Sequence, residues 1–337
     1  MKIAVIGAGA VGSVIGGLLS QAGEDVTLIG RKSHVDAISQ NGLLLEGPYG
    51  KRVINLKVSE DLDFKPDLAL LTVKTQDVEP SIRKIQSFLS NAPVITLQNG
   101  VQSDDLVAGI LGKENIISSV VIFHSLFIEP GKATYSNFSS KVALLIGEPF
   151  GSKKNRLQIY STLLNRGLPT STSEDIRGAH WTKLLWNLNN ALPAITGLPI
   201  QEGNQYPGIR RLNIDLMKEG LEILKLAGIR TAPVPGIPLS LMKIMVKMPL
   251  PISSFIVKTK TKSLGKIAVL GSTLQSIKRG KSTEIDYLNG EIVNIGKKMG
   301  IPTPVNSAVV DLIHQVESTG NFLTLADLSQ KLSIQVT

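Results

Sequence analysis

Gly7-Ala8-Gly9-Ala10-Val11-Gly12 is the segment that most restricts how this chain can fold. Alone, a G-x-G-x-x-G run matches many turns. Here it follows an apolar run at residues 2–6 and opens a stretch, 11–22, that reads as a helix. Strand, glycine turn and helix in that order are the context in which such a run holds a dinucleotide. Gly7 permits the tight turn, Gly9 lets the backbone approach the pyrophosphate, and Gly12 lets the helix sit close to the strand. The phosphates would meet unpaired N–H groups and the helix dipole. Gly7, Ala8, Gly9, Ala10, Val11 and Gly12 are therefore the first candidate cofactor residues.

The rest of the first half fits that start. Predicted strands at 2–6, 25–29, 68–73, 94–97, 116–123 and 142–146 alternate with helical stretches, the pattern of a parallel sheet flanked by helices. Residues 131–146 read as antiparallel, with Pro130-Gly131 as a turn. The second strand ends at Gly30-Arg31-Lys32, and its tip falls 19 residues after Gly12. An acid there would bind the ribose 2′-hydroxyl of NAD. Arg31 and Lys32 instead suit a 2′-phosphate, so the expected cofactor is NADPH/NADP. Two more loops lie at predicted strand ends, where ligands bind in such sheets. One carries Lys74 and the other Gln98-Asn99-Gly100.

Beyond residue 151 helical periodicity takes over. Helices are predicted at 173–192 (with Ser173 as the cap), 209–227, 267–278, 284–299 and 306–318. Residues 231–251, rich in proline, read as a loop or broken helix. The expected architecture is an α/β Rossmann-type dinucleotide-binding domain, residues 1–170, followed by an all-α C-terminal domain, residues 171–337. A cleft between the two is the expected substrate site. In the helix at 173–192, Lys183 and Asn187 are four apart and share a face, with Asn190 seven from Lys183. Trp181, Leu184, Leu185, Trp186 and Leu188 around them predict a largely buried helix, where a lysine needs a partner or a polar cleft. Glu284 reads as a first-turn residue behind Ser282-Thr283, and Ser272 lies near the start of another helix.

Composition removes several function classes. With no cysteine, disulfides, thiolate metal sites and cysteine nucleophiles are excluded. His34, His124, His180 and His314 lack metal-ligand spacing, so no metal site is expected. The net charge of +9 suits anionic ligands, but its lysines and arginines are dispersed and carry no nucleic-acid-binding motif. Residues 233–257 contain five prolines and two lysines, a mixture ill suited to a membrane span. No signal peptide is evident, and the cytoplasm is the expected location. Oligomeric state is left open, a homodimer included.

The glycine run, Leu71-Thr-Val-Lys74, Gln98-Asn99-Gly100, Trp181-Thr-Lys183-Leu and Thr283-Glu-Ile-Asp-Tyr-Leu-Asn-Gly290 occur in this order. Together they resemble the ketopantoate reductase (2-dehydropantoate 2-reductase) family over nearly the whole chain. The resemblance implies NADPH-dependent reduction of 2-dehydropantoate, a small 2-keto acid, to pantoate on the way to pantothenate. By the same resemblance Lys183 would be the general acid, with Glu284 binding the substrate hydroxyl and positioning Lys183. Asn99 and Asn187 would hold substrate or Lys183, Ser272 would meet the substrate carboxylate, and Lys74 would lie near the nicotinamide ribose. Where the family often carries a further Asn, this chain has Ala191, with Asn190 beside it as the substitute. Two other readings stay open on the residues: reduction of a different 2-keto acid or opine-like substrate, and a non-catalytic NADP-binding regulator.

Overall fold

The computed structural model describes residues 1–136, 138, 141–151, 154–262 and 269–332. The chain divides into two units, residues 1–180 with 232–236, and residues 181–231 with 237–337.

Among the described residues the first unit holds the strands β1 Lys2–Ile6, β2 Asp25–Ile29, β3 Leu43–Gly47, β4 Gly50–Ile54, β5 Lys57–Ser59, β6 Leu68–Leu71, β7 Val94–Thr96, β8 Ile116–Val121, β9 Ser125–Glu129, β10 Lys132–Tyr135, β11 Leu144–Gly147 and β12 Thr170–Ser173. Its helices are α1 Ala10–Gln21, α2 Lys32–Asn41, α3 Val78–Ile85, α4 Ser103–Leu111 and α5 Lys154–Asn165. Eight strands form one sheet in the order β12-β11-β8-β7-β6-β1-β2-β5. From β5 to β8 every pairing is parallel, and the order about β1 is that of doubly wound dinucleotide-binding folds. β11 runs antiparallel to β8, and β12 parallel to β11.

Successive side chains of the central strands serve opposite faces, as the two-residue period of a strand requires. Ile3, Val5, Leu68 and Leu70 enter one buried cluster. Ala4, Ile6, Ala69 and Leu71 enter the other. Both faces are covered, so these strands are apolar throughout rather than alternating.

The smaller sheet, β4-β3-β10-β9, was only half foreseen. The turn at Pro130-Gly131 joins β9 and β10 as an antiparallel pair, as expected. Strands β4 and β5 were not expected, because the polar run Lys51–Arg52 and the short β5 carry little apolar signal; β3 was not expected either, although Leu43-Leu44-Leu45 is apolar. The predicted strands at 68–73, 94–97 and 116–123 each end earlier, at Leu71, Thr96 and Val121.

The remaining helices are α6 Ile176–Asn187, α7 Ala191–Thr196, α8 Ile200–Gly203, α9 Pro207–Leu226, α10 Leu239–Met245, α11 Leu250–Lys262, α12 Ser272–Lys278, α13 Asn289–Met299, α14 Pro304–Thr319 and α15 Leu325–Leu332. Ser173, expected to cap the first of these, ends β12 instead. Its hydroxyl accepts the Asp175 N–H, and Asp175 caps α6 by accepting the Gly178 N–H at 2.8 Å. The predicted single helix 173–192 is broken by a 3₁₀ turn at Leu188–Asn190. Pro193 sits inside α7 without harm, because a residue in the first turn has no intrahelical partner for its nitrogen. Gly197, at φ 72°, then ends that helix. The proline-rich span is a broken helix, α10 and α11. The start of the predicted helix 267–278 falls at residues 267 and 268, which lie outside the described residues.

Candidate active site

The glycine turn is built from backbone and locked by one hydroxyl. Ile29, at the tip of β2, accepts the N–H groups of Gly7 and Ala8 at 3.0 and 2.9 Å. The Thr72 hydroxyl donates to the Gly7 carbonyl at 2.7 Å. Gly7 has φ +112°, and a Cβ there would lie 2.6 Å from the Val73 nitrogen. On Gly12 a Cβ would lie 2.2 Å from the Gly7 carbonyl oxygen and 2.6 Å from Thr72 Oγ1. Both glycines are therefore demanded by the protein's own packing.

Gly9 differs. Its φ of −85° suits any residue, and a Cβ on it meets nothing within 4 Å. Neither backbone strain nor internal crowding accounts for a glycine there, so the open side points to an outside group. The first turn of α1 supplies matching donors. Its first bond is Ser13 N–H to the Gly9 carbonyl, which leaves the Ala10, Val11 and Gly12 N–H groups ahead of the helical ladder. An open backbone and helix-start donors together fit a pyrophosphate.

Two contributors to this turn were missed. Thr72 stood inside the quoted Leu71–Lys74 segment but was not assigned. Gly30 is required because a Cβ on it would lie 2.5 Å from Ala8 Cβ. A glycine directly after the second strand was the available signal.

Arg31 is exposed, and among the described residues it has no acidic partner. Lys32, predicted alongside it, is instead engaged on the surface with Asp36 at 3.3 Å and Glu60 at 3.9 Å. The Lys74 and Asn99 loops are laced together at the carboxyl ends of β6 and β7. The Gln98 amide donates to the Leu71 and Val73 carbonyls at 2.8 and 3.0 Å, and the Thr75 hydroxyl donates to the Asn99 carbonyl at 3.0 Å.

In the second unit, Lys183 is half-buried on α6 between Thr182, Leu184 and Leu185, all buried. Burial pulls its ammonium down to about 8, and the Glu284 carboxylate acts in the opposite sense. Trp186, expected to be buried with its neighbours, is 43% exposed. Glu284 is not in the first turn of a helix as predicted. It precedes a 3₁₀ turn at Ile285–Tyr287, and α13 begins only at Asn289, because Leu288 (φ −114°, ψ −93°) leaves the helical region. This segment is pinned by the Thr283 N–H donating to Glu317 Oε1 at 2.6 Å.

Asn187 is buried at the end of α6, and its Oδ1 accepts from Asn190 Nδ2 at 3.4 Å. Asn190 packs on Gly271, where a Cβ would lie 3.2 Å from its Oδ1, and Ser272 follows as the first residue of α12. Asn187, Asn190 and the start of α12 thus form one cluster. Asn289, within the quoted motif but not assigned, is fully buried. It donates to the Leu188 carbonyl at 3.3 Å and to Asn306 Oδ1 at 3.0 Å, tying the Glu284 segment to the turn after α6.

Among the described residues no helix is long and apolar enough to cross a membrane, and no acidic or histidine cluster is placed to hold a metal. Family models described as "Ketopantoate reductase PanE/ApbA" and its C-terminal part match residues 3–148 and 175–317. A 2-dehydropantoate 2-reductase of Pyrococcus horikoshii is 31% identical, covering 95% of this chain and 99% of that protein. A PanE/ApbA family ketopantoate reductase from Ralstonia eutropha shares 30% identity at a TM-score of 0.78, covering 94% and 99% of the two chains. At 24% identity, D-mandelate dehydrogenase, solved with NADH and anilino(oxo)acetate, shares the fold at a TM-score of 0.80, covering 95% of this chain and 99% of that one. With both family models matched in order over most of its length, this chain belongs to the ketopantoate reductase family, whose members are oxidoreductases acting on a CH–OH group.

Proposed function

We propose that this protein reduces 2-dehydropantoate to pantoate with NADPH. The carrying observation is the state of Lys183, whose ammonium titrates at about 8 under the opposed influence of burial and Glu284. At neutral pH such an amine is mostly protonated, yet it releases its proton far more readily than an ordinary lysine. General acids work best with a pKa near the working pH.

Bound at the glycine turn, the reduced dinucleotide supplies the hydride. Lys183 stabilises the negative charge that develops on the keto oxygen and donates its proton there. Glu284 keeps Lys183 charged and takes a hydrogen bond from the substrate hydroxyl. Asn99, Asn187 and Asn190 hold substrate or orient Lys183, and Ser272 receives the substrate carboxylate. Arg31 binds the 2′-phosphate and Lys74 serves the nicotinamide ribose. Lys32 is assigned a lesser part, since Asp36 and Glu60 already engage it. Relatives carrying the name 2-dehydropantoate 2-reductase support the choice of substrate.

A second substrate reading rests on Ala191, buried with no polar group where the family often has Asn. On that reading the keto acid lacks the group that such an Asn would meet. Following NADPH oxidation with 2-dehydropantoate and a panel of simpler 2-keto acids decides between them. Faster turnover of a simpler keto acid would overturn the pantoate reading.

A further inference from the structure

His34 is buried, and both of its ring nitrogens are engaged. The Gly131 N–H donates to Nδ1 at 2.8 Å, so Nδ1 carries no proton and Nε2–H is left to donate to Ser13 Oγ at 3.0 Å. Burial lowers the pKa of this imidazole, which fits a neutral ring with one donor and one acceptor. Phe127 packs against it, with ring centroids 4.9 Å apart.

Each partner belongs to a different part of the turn region. Ser13 closes the first turn of α1 through its N–H bond to the Gly9 carbonyl. The N–H of His34 itself bonds the carbonyl of Arg31, the residue that opens α2. Gly131 lies in the β9–β10 turn, which buttresses the ring from the other side. One residue therefore ties the start of α2 to the helix start that faces the open backbone of Gly9, its ring bonding Ser13 and its main-chain N–H bonding Arg31.

We infer that His34 is a positioning residue for cofactor choice: it sets Arg31 against the glycine turn so that a 2′-phosphorylated dinucleotide is preferred. This rests on the NADPH reading above, and it is tested by binding rather than turnover. NADPH and NADH are titrated against the wild type, His34→Leu, His34→Gln, Ser13→Ala and Arg31→Ala, with Tm recorded for each. Leucine leaves two buried polar groups unmatched, whereas a glutamine amide again offers one donor and one acceptor. His34→Leu is expected to weaken NADPH by about 10-fold and NADH by about 3-fold or less, with His34→Gln recovering most of the NADPH preference. Should His34→Leu fail to fold, Ser13→Ala carries the decision, with an expected loss of NADPH preference of about 3-fold. An unchanged NADPH:NADH ratio in the variants, whatever their Tm, overturns the inference. If wild type and Arg31→Ala alike show no preference for NADPH, the cofactor reading itself fails, which is a separate outcome.

Discussion

The two candidate sites are made of different material. Around Gly7–Gly12 the work is done by main-chain groups: carbonyls that clasp the turn, N–H groups at the start of α1, and glycines chosen for what a Cβ would strike. At Lys183 it is done by side chains whose charge depends on burial and on one carboxylate from a distant segment. A backbone turn of this kind is most sensitive to the gain of a methyl group in the wrong place. The lysine site tolerates shape changes nearby but not the loss of one atom group. Substitutions should therefore fail in opposite ways in the two regions.

The largest effect is expected at the lysine. Lys183→Ala should lower kcat/KM by about 10²-fold or more while leaving NADPH affinity within a few-fold. Steady-state kinetics beside a cofactor titration checks this, and equal activity would remove Lys183 from the chemistry. Arg31→Ala should weaken NADPH by roughly 10- to 100-fold and leave NADH unchanged, as loss of a charge-assisted bond to phosphate implies. Lys32→Ala, already paired on the surface, should change NADPH affinity by only about 2-fold.

The glycines sharpen the contrast within one turn. Gly9→Ala should leave thermal stability within about 0.5 kcal/mol of the wild type, since the methyl meets nothing, yet weaken dinucleotide binding by about 10-fold. Gly12→Ala should instead destabilise the fold by about 1–3 kcal/mol, because the clash is with the Gly7 carbonyl. Equal melting curves for the two would break the distinction.

The lysine site alone should also carry a pH dependence. Reduction needs the protonated amine, so kcat/KM should be level below about 8 and fall tenfold per pH unit above it. Glu284→Gln removes the group that raises the lysine, so the alkaline limb should move to lower pH. A limb that stays in place would sever Glu284 from Lys183.

Much of this was readable from local pattern. The glycine turn, β1, β2 and α9 are encoded by contiguous periodicity, and Lys183 and Asn187 by a four-residue step. What was not readable depends on distant partners. Nothing near Thr72 announces that its hydroxyl will lock Gly7. Nor does sequence show that Asp104 will receive Ser118 and Thr96, with His180 on the far side of Ser118 at 2.7 Å. The break before Asn289 was hidden for a related reason. The run from Glu284 has helical composition, but Thr283 is held by Glu317, and the chain turns sharply at Leu288 before α13 can start. Trp186 misled because composition alone cannot say which side of a helix is covered.

The margins of the large sheet carry a consequence of their own. It ends in β5, three residues long, and β12, whose four residues are Thr170-Ser171-Thr172-Ser173. Outermost strands expose unpaired main-chain groups that invite another chain to add on, and long apolar margins seed fibrils. Margins this brief and this rich in hydroxyls give an incoming strand little length to grip and no greasy face to zip against. The apolar strands between them are thereby kept out of reach of intermolecular addition.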